Sequence, residues 1–269
     1  MTRTRHSVED RLEREAWSAL TDELSVWSDA GRQATFWWRD DDATRAGPRL
    51  SRLLSLSEQH AAPVALASVP RDVDTSLKPA LDSAPRAYVL QHGYAHINHA
   101  KGTDVSGAWE MGLQRPLEVV SGELEAGWQR LSDLVGPDRA LPVLVPPWNR
   151  IDPVVTAHLP ALGFRGVSTY GPRAACEVVP GLCQVNTHCD PIKWKGGARF
   201  TGTGKAVTFL TAHLAARRRG EVDPTEPTGL VTHHIDHDEA VWMFCDALLG
   251  ILNAHSGARV LSPTEVFGI

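Results

Sequence analysis

His92-Gly-Tyr-Ala-His96 sets two imidazoles four residues apart. On a helical turn that spacing puts both on one face, where they can share a metal ion. His99 is also near. A zinc protease needs H-E-x-x-H, with a glutamate after the first histidine as general base. Here that position is Gly93, so protease chemistry lacks its base. Alone, the pair also fits packed or surface histidines. Earlier in the chain, Asp40, Asp41 and Asp42 follow an apolar run. Three adjacent carboxylates repel one another, and a divalent cation offsets that repulsion. A solvated, helix-capping acidic turn is the plainer alternative. One aspartate with two histidines makes three protein ligands and an open position, the pattern of a catalytic metal site. A second aspartate beside the ligand then suits a general base acting on water.

Elements must bring these stretches together. Apolar runs at 34–39, 64–69, 87–91, 141–145, 164–169, 229–232 and 260–261 read as strands. Helical periodicity marks 7–30, with Ser7 as cap, and then 48–61, 110–135, 153–162, 206–219 and 238–255. Strands alternating with helices imply βαβ units and a parallel sheet. Polar clusters follow four strand ends: the acids at 40–42, His92, Trp148-Asn149-Arg150, and His233. Parallel α/β folds build sites at the carboxyl ends of their strands. The expected architecture is therefore α/β: a distorted (β/α) barrel of about seven parallel strands. It forms a single domain over 31–269, with an extra N-terminal helix over 1–30 packed on it.

A net charge of −5 over 269 residues argues against a nucleic-acid partner, which needs a basic surface. The one basic run, Arg217-Arg218-Arg219, reads as a solvated helix end. The Pro- and acid-rich stretch 220–229 reads as surface loop. No run approaches the ~20 apolar residues of a membrane span. Residues 1–15 lack the apolar core of a signal peptide, so the expected location is cytoplasmic. Cys176, Cys183, Cys189 and Cys245 form no C-x-x-C pair and read as reduced, mostly buried thiols.

In order and spacing, four motifs resemble those of the polysaccharide deacetylases, carbohydrate esterase family 4 of the NodB-homology type. They are Arg39-Asp40-Asp41-Asp42-Ala43, His92 to His96, Pro146-Pro147-Trp148-Asn149-Arg150, and Thr232-His233-His234. Together they span residues 36–238. The resemblance implies a metal-dependent hydrolase that removes acetyl from an N-acetylated sugar or saccharide precursor. It assigns Asp41 as base and Asp42, His92 and His96 as metal ligands; Asp40-Asp41 is the alternative register. The cofactor is a divalent metal, Zn²⁺ first, with Co²⁺, Ni²⁺ or Mn²⁺ as alternatives. The late histidine is the general acid to the leaving amine: His233, which comes first after the strand end, is favoured, with His234 either its alternative or packing against and orienting it. His237 and Asp238 are candidates to tune that imidazole, and Asp238 equally to start the last helix.

The family's arginine before the Pro-rich motif, which pairs with the base, is here Val145. Arg150 and Arg39 are the candidates to replace it, and Arg150 is assigned. Tyr94, Pro147, Trp148, Asn149 and Asp190 are placed on the substrate side, with Asp190 also able to orient the arginine. The first motif departs from the family's usual TFDDG, which marks a divergent branch. Two other readings stay open: a different metal-dependent amide or ester hydrolase on the same scaffold, and a carbohydrate-binding pseudoenzyme.

Overall fold

A computed structural model describes the backbone of residues 2–269 and the side chains of residues 11–269. Its strands are β1 (Ala34–Ala43), β2 (Val64–Ser68), β3 (Ala87–His92), β4 (Ala140–Val145), β5 (Gly166–Val167), β6 (Glu177–Val179), β7 (Leu182–Gln184), β8 (Ile192–Lys193), β9 (Arg199–Phe200), β10 (Thr228–Thr232) and β11 (Ala258–Val260). Its α-helices are α1 (Thr2–Asp29), α2 (Pro48–Gln59), α3 (Leu77–Asp82), α4 (Leu117–Val135), α5 (Pro153–His158), α6 (Thr203–Arg219), α7 (Glu239–Ala254) and α8 (Pro263–Phe267).

Aromatic residues suit β1 to a pleated surface, and its side chains alternate in direction. Phe36 and Trp38 join a cluster shared with helix residues such as Leu53, Leu210 and Leu248. Trp37 joins a second cluster, with Ala65, Ala67, Leu90, Val143 and Val145, that fills the interior enclosed by the strands. The small side chains of β2 face Trp37, which leaves room for the indole. Burying a large apolar side chain contributes roughly 1.5–3 kcal/mol, so these two faces hold the sheet between them.

The sheet runs β10-β1-β2-β3-β4-β5-β7 in parallel and ends on antiparallel β6. β11 pairs with the first half of β1. Beyond β7 the chain returns to β10: His188 N–H donates to Gly229 O (2.7 Å) and Val231 N–H to Cys189 O (2.8 Å). Those bonds close the sheet into the expected distorted barrel. Phe267 of α8 packs edge-on to Trp37 (5.7 Å between centroids). It fits because Gly166 has no Cβ; one there would lie 2.6 Å from the Phe267 ring.

α1 begins before residue 7, and the Ser7 side chain lies outside the described residues. Its Leu20, Leu24 and Trp27 lie on one stripe and are buried in the same cluster as α6 and α7. Helix 110–135 is shorter than expected and starts at Leu117. Pro116 sits at the N-cap, and proline disfavours helical geometry in the residue before it. Strand 164–169 shrinks to two residues, and the short strands of β6–β9 fall below the length at which periodicity is legible. Arg217 corrects the solvated-helix-end reading. It is buried and donates to Thr35 O (2.9 Å) and Thr228 Oγ1 (3.1 Å), while Arg218 pairs with Glu23 and Arg219 with Glu221. Among the described residues no helix is long and apolar enough to cross a membrane.

Candidate active site

Strict alternation along β1 would send Asp42 to the side of Asp40, away from Asp41. A β-bulge prevents it. Asp41 pairs with Ala67 and Ala43 with Ser68, which leaves Asp42 as the extra residue, at φ 71°. Asp41 and Asp42 thereby both line one cleft of about 490 Å³ at the carboxyl ends of the strands.

His92 ends β3 and is buried. Its Nδ1 lies 2.9 Å from Val145 O. A carbonyl only accepts, so Nδ1 carries a proton there, and Nε2 is the nitrogen left to face the cleft. That Nε2 is 3.4 Å from Asp42 Oδ1, and His96 Nε2 is 3.5 Å from the same oxygen. Ligands bound at ~2.0–2.1 Å in a tetrahedron stand about 3.3–3.4 Å apart, so the spacing fits a zinc-sized ion. Burial opposes charge on Asp42, yet His92 and His96 hold its carboxyl well below the usual range. Burial, reinforced by His92, pushes His96 down and keeps it neutral. The three groups lie close enough together to hold one metal ion.

The loop carrying His96 is held from below by Glu110. This buried carboxylate accepts the N–H groups of Ala95 (2.7 Å) and Tyr94 (3.3 Å). A Cβ at Gly93 would stand 2.0 Å from Glu110 Oε2 and 2.7 Å from Pro147, so glycine is required there. Five non-glycine residues have positive φ among the described residues: Asp42, Ala61, His96, Trp148 and Asn149. All but Ala61 line the cleft. Such strain costs about 1–3 kcal/mol per residue and collects at functional sites.

Asp41 is gripped by Arg39, two residues earlier on the same face of β1: Nε to Oδ1 at 2.8 Å and Nη2 to Oδ2 at 3.0 Å. The fully buried guanidinium also donates to Ser168 Oγ (2.7 Å) and Asn149 Oδ1 (2.9 Å). The structure thus corrects the assignment of Arg150, which lines the cleft but donates to Ala108 O and lies over Trp109. Val145, where the family's arginine would stand, is an interior packing residue instead.

Asp40 points to the other side of β1. Fully buried, it accepts from Thr232 Oγ1 (2.6 Å), His234 N–H (3.0 Å) and the His234 ring. His234 is therefore tied down outside the cleft, whereas His233 lines it, with Nε2 3.9 Å from Asp41 Oδ2. Trp194 stands edge-on to His233 (4.6 Å) and donates from Nε1 to Asp190 Oδ2 (2.8 Å). Asp190 lines the cleft but bonds no arginine; its other oxygen accepts Ile192 N–H. Burial pushes the Asp190 carboxyl up. Asp238 caps α7 through Val241 N–H (2.9 Å), and His237 is buried against Trp242.

On the substrate side, Trp148 and Asn149 line the cleft, and the Trp148 ring lies 4.4 Å from His96. Tyr94 and Pro147 do not line it: Tyr94 lends backbone to Glu110 and Arg71, and Pro147 packs under Gly93. Tyr170 and Trp194, absent from the sequence reading, do. Trp194 follows Asp190 by four residues, and that spacing was the available signal.

No protein-family model and no curated protein matches the chain. Solved structures do. A Mycobacterium smegmatis protein assigned to the polysaccharide deacetylases superposes with a TM-score of 0.61 at 14% identity, over 88% of this chain and 90% of that one. A peptidoglycan N-acetylglucosamine deacetylase gives 0.53 at 14% identity, over 88% and 89%. A pseudoenzyme of carbohydrate esterase family 4 gives 0.54 at 13% identity, over 87% and 67%. At such low identity the likeness is one of fold: the chain has the polysaccharide deacetylase fold of carbohydrate esterase family 4, in a divergent form.

Proposed function

We propose that this protein is a metal-dependent hydrolase that removes acetyl from the nitrogen of an N-acetylated sugar or saccharide precursor. The observation that carries the reading is the placement of Asp41: held by Arg39, beside the Asp42–His92–His96 donor set and facing His233 across the cleft. Asp42, His92 and His96 would hold a divalent cation, Zn²⁺ first and Co²⁺, Ni²⁺ or Mn²⁺ as alternatives, which would supply Lewis acidity to the acyl oxygen and to water.

Asp41 takes the proton from the attacking water, and Arg39 fixes both its oxygens for that task. His233 then gives a proton to the departing nitrogen, the role a positioned imidazole commonly plays. Trp194, itself held by Asp190, packs edge-on against that imidazole. The part-exposed faces of Trp148, Tyr170 and Trp194 suit a sugar ring, which packs its C–H face on aromatics. The neighbouring deacetylase named for peptidoglycan N-acetylglucosamine supports this substrate class. The presence of base, donor set and acid together favours turnover over the non-catalytic role named for the pseudoenzyme neighbour.

Acetate release from N-acetylglucosamine oligomers and from nucleotide- or lipid-linked N-acetyl sugars tests the reading. Zinc-loaded protein should release acetate and Asp41→Asn should not. A loaded wild type that leaves every acetamide intact, while cleaving acyl esters, would replace it with an esterase.

A further inference from the structure

Two of the four cysteines meet at the edge of the sheet. The Sγ atoms of Cys176 and Cys183 are 3.6 Å apart, in van der Waals contact. Cys183 lies in β7, and Cys176 in the bend just ahead of β6. Strand pleating does not constrain that bend, so the Cys176 side chain can turn toward β7. The backbone is already clasped at this point, since Gln184 N–H donates to Cys176 O at 2.7 Å. A disulfide has S–S of about 2.05 Å, so the sulfurs must close by roughly 1.5 Å, within reach of rotation about χ1.

We propose that Cys176 and Cys183 form a reversible intramolecular disulfide when the protein meets a two-electron oxidant such as a peroxide. The exposed Cys176 reacts first: its thiolate attacks the peroxide O–O bond and becomes a sulfenic acid, releasing hydroxide. The Cys183 sulfur then displaces the sulfenic oxygen as water. Two thiols and one peroxide yield one disulfide and two waters, and a thiol reductant reverses the step. Burial and the neighbouring Cys176 push the Cys183 thiol up to about 12, which suits it to the resolving role over the first attack. Cys189 and Cys245 are fully buried, with burial raising both thiols, and serve as internal controls. The bond would fasten β6, the last strand of the sheet, to β7. An unpaired edge strand invites pairing with other chains, and a covalent tie restrains it.

Thiol titration of the unfolded full chain after mild peroxide treatment of the folded protein is the test, with a non-reducing peptide map. The wild type should lose two of its four thiols and yield one linked peptide pair carrying Cys176 and Cys183. Dithiothreitol should restore all four. Cys176→Ser should give no linked pair, and Cys189→Ser should behave as the wild type. Retention of four thiols, linkage between copies, or Cys176 running on to sulfinic acid beside a free Cys183 overturns the proposal.

Discussion

Asp42 with His92 and His96, and Glu226 with His188 and His213, are the same three groups assembled twice. Their surroundings separate them. In the first set the His92 Nδ1 proton is committed to Val145 O, so Nε2 is the nitrogen that faces the carboxylate. In the second, His188 Nδ1 accepts Gly229 N–H at 3.0 Å, which places the proton on Nε2, 3.4 Å from Glu226 Oε2. A protonated nitrogen offers no lone pair to a metal, and this one has no hydrogen-bond partner among the described residues.

The rings differ too. His92 and His96 are tilted by 51°, and their nitrogens converge on Asp42. His188 and His213 stack face to face at 3.4 Å and 16°. The Glu226 oxygens are spent on Asn186 N–H and Arg173 N–H, both at 2.9 Å. All three residues are buried, whereas Asp42 and His96 of the first set are only half-buried. The difference teaches that two imidazoles and a carboxylate become a metal site only when bare lone pairs converge beside an open position. Otherwise they are a clasp, here one that ties the 220–229 loop to the closing seam of the barrel.

The contrast can be broken by substitution. Asp42→Ala should abolish tight zinc binding, read by chelator competition, while Glu226→Gln should leave the stoichiometry unchanged and lower thermal stability. Asp41→Asn should retain the metal but lose about 10²–10⁴-fold in kcat, the usual contribution of a positioned base. Glu110→Gln removes the carboxylate that holds the His96 loop. Metal affinity should fall by roughly 10–100-fold, as when outer supports of a metal ligand are removed, and the cobalt absorption spectrum should shift.

The smallest effect concerns acid. Burial, with His188 and Arg217, pushes His213 down to about 2, while the unfolded chain protonates near 6.5. The folded form keeps the ring neutral, so its contribution is complete above about pH 6.5. It falls as pH drops, by up to about 1.4 kcal/mol per unit. His213→Leu should flatten that acid limb, read by denaturant unfolding between about pH 4.5 and 7.5. His188, also pushed down by burial, leaves part of the slope in place.

The sequence reading succeeded where a regular period governs. The alternation of β1 and the polar residues at strand ends were legible, and they located the cleft. Period two also put Arg39 under Asp41, a signal passed over in favour of the later Arg150. The bulge at Asp42 breaks that period, so which acid faces the imidazoles rested on resemblance. Glu110 was hidden inside an apparently helical stripe that Pro116 cuts short. Glu226 and Arg217 read as solvated because they sit in charged, Pro-rich or helix-end contexts, while barrel closure buries them.

Anomalous diffraction at the zinc edge from a zinc-soaked crystal tests the central claim most directly. One strong peak should lie about 2.0–2.2 Å from an Asp42 oxygen and from the Nε2 atoms of His92 and His96. A peak between His188 and His213 instead, or no peak at Asp42, would contradict it.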